Sequence, residues 1–226
     1  MAYLVRGIAG FGSGLIAVPL LTLAAPVTSV VPLVACLDYI GSASQGLKNR
    51  EQIVWREQVV LLPFMVVGIA VGLVLLRSVP TGLLAKALGG FVIAYALYQF
   101  VSLPAWRASR IAATYCGFLG GLMGTLFNSG GPFYVMYFSM RALDKTVFRA
   151  TFAANYLIDG GIRLAAYALL GLFHGDTLFS VAAALPVAAA GLVLGGRVHT
   201  ELSQQVFVRF ISLLLVASGA ALLLRY

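Results

Sequence analysis

Apolar residues run for about twenty positions at a time along this chain, and polar residues collect in short gaps between the runs. Eight apolar stretches can be read, over roughly 3–25, 28–46, 58–76, 83–103, 111–140, 149–173, 177–196 and 206–224. A helix rising about 1.5 Å per residue needs about 20 residues to cross a hydrocarbon core of about 30 Å. The runs meet that length and lack the two-residue alternation of a barrel strand. The pattern therefore predicts an all-α polytopic membrane protein, with no gap long enough for a soluble domain. The first run follows Arg6 and superficially resembles a signal peptide. Gly10, Gly12, Gly14 and Pro19 interrupt it where a signal core is continuously apolar.

Composition agrees. The 226 residues are 61% hydrophobic and 10% charged, where soluble chains carry about 25% charged residues. That excludes nucleic-acid-binding modules, secreted disulfide scaffolds and disordered chains. The excess of 15 Lys and Arg over 7 Asp and Glu bears on orientation rather than on partners. Cys36 and Cys116 lie in apolar stretches with no metal-ligand spacing. They are read as free thiols, and neither a metal nor another cofactor is expected. His174 and His199 fall in short loops. With three Glu, four Asp and no His at membrane depth, a catalytic cluster is missing and an enzyme is not expected.

The two halves of the chain echo each other. Leu62-Pro63, Gly68 and Gly72 match Leu185-Pro186, Gly191 and Gly195 at a constant offset of 123, and Lys86 matches Arg209 at the same offset. Gly7 and Gly14 match Gly124 and Gly131 at an offset of 117. We therefore divide the chain into transmembrane repeats 1–104 and 105–226. Each begins with a broken segment: Gly7-Ile-Ala-Gly-Phe-Gly-Ser-Gly14 with Pro19, and Gly124-Thr-Leu-Phe-Asn-Ser-Gly-Gly-Pro132. Glycine and proline oppose a continuous helix. Broken backbone at membrane depth is tolerated only where protein or a water-filled cavity surrounds it. Paired breaks in two halves point to a transport site.

Loop charge separates two topologies. With eight crossings, Arg6, Lys48, Arg50, Arg56, Arg107, Arg110 and Arg225 oppose Arg77, Arg141, Lys145, Arg149 and Arg197, seven against five. With segments 1 and 5 re-entrant, nine residues gather on one side: Lys48, Arg50, Arg56, Arg107, Arg110, Arg141, Lys145, Arg149 and Arg197. Arg6, Arg77 and Arg225 remain opposite. Lys and Arg favour the cytoplasmic side, so the nine-to-three layout is expected. Three crossings per half make the repeats inverted, with both termini outside and loops 47–57, 104–110, 141–148 and 197–205 inside.

A small oxyanion needs hydrogen-bond donors, and a half-helix N-terminus supplies backbone N–H groups and a favourable dipole. Gly12, Ser13 and Gly14, with Ser129, Gly130, Gly131 and Pro132, are the candidate amide sites. Ser13, Asn128 and Ser129 add side-chain donors. Packing of helices through small residues is the competing reading. Ionisable groups within a bilayer are costly and usually functional. Asp159 and Arg163 are four apart and share a helix face, either as a structural pair or with Arg163 attracting the anion. Asp38 and Asp159 are candidate proton carriers, or hydrogen-bonded core groups. Lys86 and Arg209 lie near segment ends and can snorkel to the interface. Gln45, Tyr134, Tyr137 and Asn155 are candidate cavity donors.

These residues carry a resemblance. Gly12-Ser-Gly14-Leu-Ile-Ala-Val-Pro19, Gly130-Gly131-Pro132-Phe with Tyr137, and Arg149-Ala-Thr151-Phe together resemble the TauE/SafE family of sulfite and organosulfonate exporters, over nearly the whole chain. Ser13 interrupts what is usually a run of three glycines in that family. Asn128 replaces a small apolar residue or glycine. The resemblance implies a proton-motive-force-linked permease for sulfite or C2–C3 sulfonates in a prokaryotic inner membrane, with protons as the coupling ion. An anion or small-solute channel, or an importer of the same substrates, would use the same features. The expected partners are a small anion and the lipid bilayer, with no nucleic acid, and the protein is a monomer or a homodimer.

Overall fold

A computed structural model of the protein describes residues 2–9, 12–46, 51–100, 109–141, 143–173, 175–197 and 204–226. Among these residues there are ten helices and no strand. They are α1 (Ala2–Ala9), α2 (Ser13–Thr22), α3 (Val27–Gly46), α4 (Trp55–Ser78), α5 (Thr81–Tyr98), α6 (Arg110–Phe127), α7 (Gly131–Ser139), α8 (Lys145–Leu169), α9 (Gly175–Arg197) and α10 (Gln204–Arg225).

The first and fifth apolar stretches are each divided in two. The second break is built by local chemistry. Asn128 closes α6 in the left-handed conformation (φ 51°, ψ 33°), which a short polar side chain tolerates. Its N–H donates to Gly124 O at 2.9 Å, and that of Ser129 to Met123 O at 3.2 Å. These bonds satisfy carbonyls that the helix end would otherwise orphan. Pro132 then sits in the first turn of α7, where no donor is needed. In the first half, the chain turns at Gly12 (φ 94°). The sequence pattern assigns Gly7 and Pro19 to that break as well. They lie inside α1 and α2 instead.

Glycine faces bring helices close. Gly68 of α4 abuts the Phe118 carbonyl and Leu122 of α6, while Gly117 of α6 abuts Leu61 and Phe64 of α4. A methyl group on Gly72 would lie 2.8 Å from Thr125 Cβ. The contacts advance together along both chains, so α4 and α6 run parallel. The offset-matched glycines Gly191 and Gly195 of α9 pack on Tyr3, Leu4 and Gly7 of α1, again with parallel helices. In contrast α5 and α10 are antiparallel: Gly82 lies by Tyr226, and Gly89 by Gly219. Tyr39 of α3 packs on Gly160 of α8, which brings these two helices together.

Polarity is inverted relative to a soluble domain. Val59, Val74, Leu97, Tyr115, Val187 and Leu213 are exposed on the outside, while Asp38, Asn128, Asp159 and Arg163 are buried inside. Among the described helices, α4 and α5 are each long and apolar enough to span a bilayer, and shorter apolar helices surround them. An outer surface of this kind is stable in lipid and would aggregate in water.

Candidate functional site

The two helix breaks meet. A Cβ on Gly14, in the first turn of α2, would overlap the backbone carbonyl of Asn128. Around this contact the structure assembles two buried ion pairs. Arg6 of α1 pairs with Asp38 of α3 (Nη1–Oδ1 2.6 Å), and Arg163 pairs with Asp159 on α8 (Nη2–Oδ2 2.9 Å). All four side chains are at least nine-tenths buried.

Asn128 joins the pairs. Its Nδ2 donates to Asp38 Oδ2 at 2.8 Å, and its Oδ1 accepts from Arg163 Nη1 at 2.9 Å. Asp38 also accepts from Ser13 Oγ (2.8 Å) and from the Tyr156 hydroxyl (3.1 Å). Arg6 reaches Ser13 Oγ (3.1 Å), the Asp38 carbonyl (3.0 Å) and Ser42 Oγ. On the other side, the Tyr134 hydroxyl donates to Asp159 Oδ1 at 3.0 Å, and Arg163 Nη1 reaches the Gly124 carbonyl. Two arginines thus face two aspartates, and the cluster is formally neutral. Compensation of this kind is what allows charges at such depth.

One face of α8 carries much of this chemistry. Thr151, Asn155, Asp159, Arg163 and Tyr167 recur every fourth residue and are all buried, so the bundle interior has a polar stripe about four turns long. At its far end the Tyr167 hydroxyl donates to Thr125 O at 2.7 Å. At its near end Thr151 Oγ1 accepts from Val54 N (3.1 Å), and Thr151 O accepts from Gln58 Nε2 (2.7 Å). Beside that end Arg141 Nε pairs with Glu57 Oε2 at 2.9 Å, and the Tyr137 hydroxyl donates to the same oxygen at 2.5 Å. The start of α4 and the end of α7 therefore share one face of the bundle. At the opposite face Arg225 reaches Leu23 O, and the Tyr226 hydroxyl donates to Thr22 O at 3.4 Å.

Of the residues expected at the site, Ser13, Asp38, Asn128, Tyr134, Asp159 and Arg163 come together here, with Gly14 against them. Asn155 lies one turn from Asp159. Tyr137 belongs to the Glu57–Arg141 group near the surface. Ser129 Oγ donates to Phe127 O at 2.9 Å and is engaged in its own turn. Gly130 lets α7 start against α6: a Cβ there would overlap the Gly120 carbonyl. Gly131 faces more open space, and its Cβ would meet only Phe152, at 3.9 Å. The side chains of Gln45 and Arg209, and both His174 and His199, fall outside the described residues. Lys86 is exposed.

Two members of the cluster escape the sequence pattern. Arg6 reads as a charge flanking the first segment, yet it is buried against Asp38. The unpartnered Asp38 in an apolar run is the available signal, because a carboxylate at depth needs a cation. Tyr156 stands one position from Asn155, and nothing in the sequence marks its hydroxyl.

Comparison with known proteins decides the family. A profile described as "Sulfite exporter TauE/SafE" matches residues 1–222. The chain belongs to the TauE/SafE family. It is therefore a multi-pass membrane protein of a transporter family, not an enzyme. One relative is the "Probable inner membrane transporter protein TsaS" of Comamonas testosteroni, 27% identical over 198 residues, 84% of this chain and 81% of that protein. Another is the "Probable sulfite/organosulfonate exporter TauE" of Cupriavidus necator, 27% identical over 226 residues, 96% of this chain and 88% of that protein. No solved structure matches this family member.

Proposed function

We propose that this transporter exports a small sulfur-containing anion, sulfite or a C2–C3 sulfonate, across the cytoplasmic membrane of a prokaryote, driven by the proton-motive force. The observation that carries this reading is the meeting of two helix breaks at Asn128, between the Arg6–Asp38 and Arg163–Asp159 pairs. The name of the Cupriavidus necator relative supports the substrate class. The opening N–H groups of α2, and that of Gly131 in α7, have no partner within their helices; Arg6 reaches Ser13 at the start of α2, and Arg163 reaches Asn128 just before α7. The anion is held by amides around Gly12–Gly14 and Gly131, with Asn128 exchanging its Oδ1 for an anion oxygen on Arg163. Asp38 accepts from four groups and Asp159 from two, so we assign the coupling proton to Asp159. Protonating it releases Arg163 toward the anion.

The layout we favour has inverted repeats 1–104 and 105–226 with re-entrant pairs α1–α2 and α6–α7. Several contacts support it. Helix α6 starts alongside the start of α4, and α7 returns to the same face at the Glu57–Arg141 ion pair. Helices α4 and α9 make matching parallel contacts with the broken pair of the opposite half. With Arg6 buried, the charge split becomes nine against Arg77 and Arg225 alone. Single cysteines at positions 56 and 149 should both label from the cytoplasm. Labelling from opposite faces would sink the layout.

The direct test is calorimetry of the purified protein against sulfite, ethanesulfonate and sulfate, followed by proton-dependent efflux from liposomes. Binding of sulfite or the sulfonate, with efflux that follows a pH gradient, is expected. Binding without any pH dependence would favour a channel. Gly131→Ala should keep the thermal midpoint and weaken anion binding about tenfold, because its methyl meets only Phe152. Gly130→Ala should lower the midpoint through its overlap with Gly120.

A further inference from the structure

Asn155 carries a buried amide that the fold does not use. The residue is 1% exposed, and neither Nδ2 nor Oδ1 has a hydrogen-bond partner. Buried polar groups are almost always satisfied, because desolvation without a replacement bond is unfavourable. The other side chains of the stripe, Thr151, Asp159, Arg163 and Tyr167, each make at least one polar contact. Two turns along, Arg163 Nε is a third unpartnered atom, although its two terminal nitrogens are engaged. Three idle polar atoms thus lie on one interior face of α8, on either side of Asp159.

Their chemistry constrains a ligand. Asn155 Nδ2 and Arg163 Nε can only donate, which suits the oxygens of an anion. Asn155 Oδ1 can only accept. A ligand without a proton donor leaves that oxygen unpaired and sets its own negative oxygens near it. A ligand carrying a hydroxyl, an ammonium or an acidic proton satisfies both atoms of the Asn155 amide.

We infer that Asn155 is a specificity-determining residue of the transport site, selecting small sulfur oxyanions that carry their own hydrogen-bond donor over donor-free ions of equal charge. The inference rests on the anion-transport reading above. Asn155 lies between Thr151, beside the Glu57–Arg141 face, and Asp159, so an anion entering from that face meets it before Arg163. A neutral amide suits that position: it discriminates by hydrogen bonding without adding charge to an already compensated cluster.

The test uses the full-length protein and a matched pair, ethanesulfonate and 2-hydroxyethanesulfonate, with sulfite as a third ligand, each titrated by calorimetry. The wild-type protein should bind the hydroxylated ion at least about tenfold more tightly, since a site built around a hydrogen bond penalises an analogue lacking it. Asn155→Leu should equalise the pair and leave the thermal midpoint unchanged or raised, because an apolar side chain removes an unsatisfied amide. Asn155→Ser, which keeps a donor and an acceptor, should retain part of the preference. Equal affinities in the wild type, a preference that survives in Asn155→Leu, or a lowered midpoint in that variant would each overturn the inference. If sulfite binds and neither sulfonate does, the inference falls while anion transport stands. If no sulfur oxyanion binds, the transport reading falls and takes the inference with it.

Discussion

Arg163→Met should cost about 3–5 kcal/mol of stability, because it leaves the Asp159 carboxylate without its cation among buried groups. The same change frees Asn128 Oδ1 and the Gly124 carbonyl, both of which now accept from Arg163 Nη1. Asp159→Leu should cost a similar amount by stranding the guanidinium. The double variant should recover much of the loss, since neither charge then remains uncompensated. Thermal denaturation in detergent, followed by a probe of tertiary structure, gives the four midpoints of the cycle, wild type included. Anion binding separates structure from function. If Arg163 serves the ligand, the double variant regains its midpoint and still fails to bind. A double variant with wild-type affinity would make the pair purely structural.

The second large effect is expected at Gly14. A Cβ there would overlap the Asn128 carbonyl oxygen, and that backbone atom cannot retreat as a flexible side chain would. Gly14→Ala must therefore separate the two helix breaks. The cost should reach or exceed the upper end of the roughly 1–3 kcal/mol typical of overpacking. Separation also pulls Asn128 away from Asp38, so binding should be lost even in protein that remains folded. Gly12→Ala is the informative control: open space surrounds that Cβ, and the penalty comes only from φ 94°, about 1–2 kcal/mol. Equal midpoints for Gly14→Ala and the wild type would show that the breaks do not touch in solution.

Features set by near neighbours in the chain are legible from the amino acids alone. The pairing of Asp159 with Arg163 follows from helical spacing. The break at Asn128–Gly130 follows from residues that cap helices and residues that resist them. The glycines matched at offset 123 announce two helices with the same need for close neighbours, and both find them. What stays hidden depends on which helix lies against which. Arg6 and Asp38 are 32 positions apart, and Asn128 is 90 positions from Asp38; no periodicity links them. Pro19 misleads because proline ordinarily marks a break, whereas α2 accommodates it within a buried helix. Asn155 is recognisable as a donor, but its lack of partners emerges only from three-dimensional packing.

Helix α4 lays its glycines on α6, and α9 lays its own on α1. On the division proposed above, each half therefore lays a glycine-bearing helix on a helix of the other. Cutting the loop between them leaves two fragments that each lack a closely fitting neighbour, so neither should persist alone in a bilayer. Co-expressed, the fragments hold complementary surfaces and should reassemble. The inverted-repeat layout proposed above bears on descent: under it, an ancestral single-length chain would have found the missing neighbour in a second copy of itself, inserted upside down.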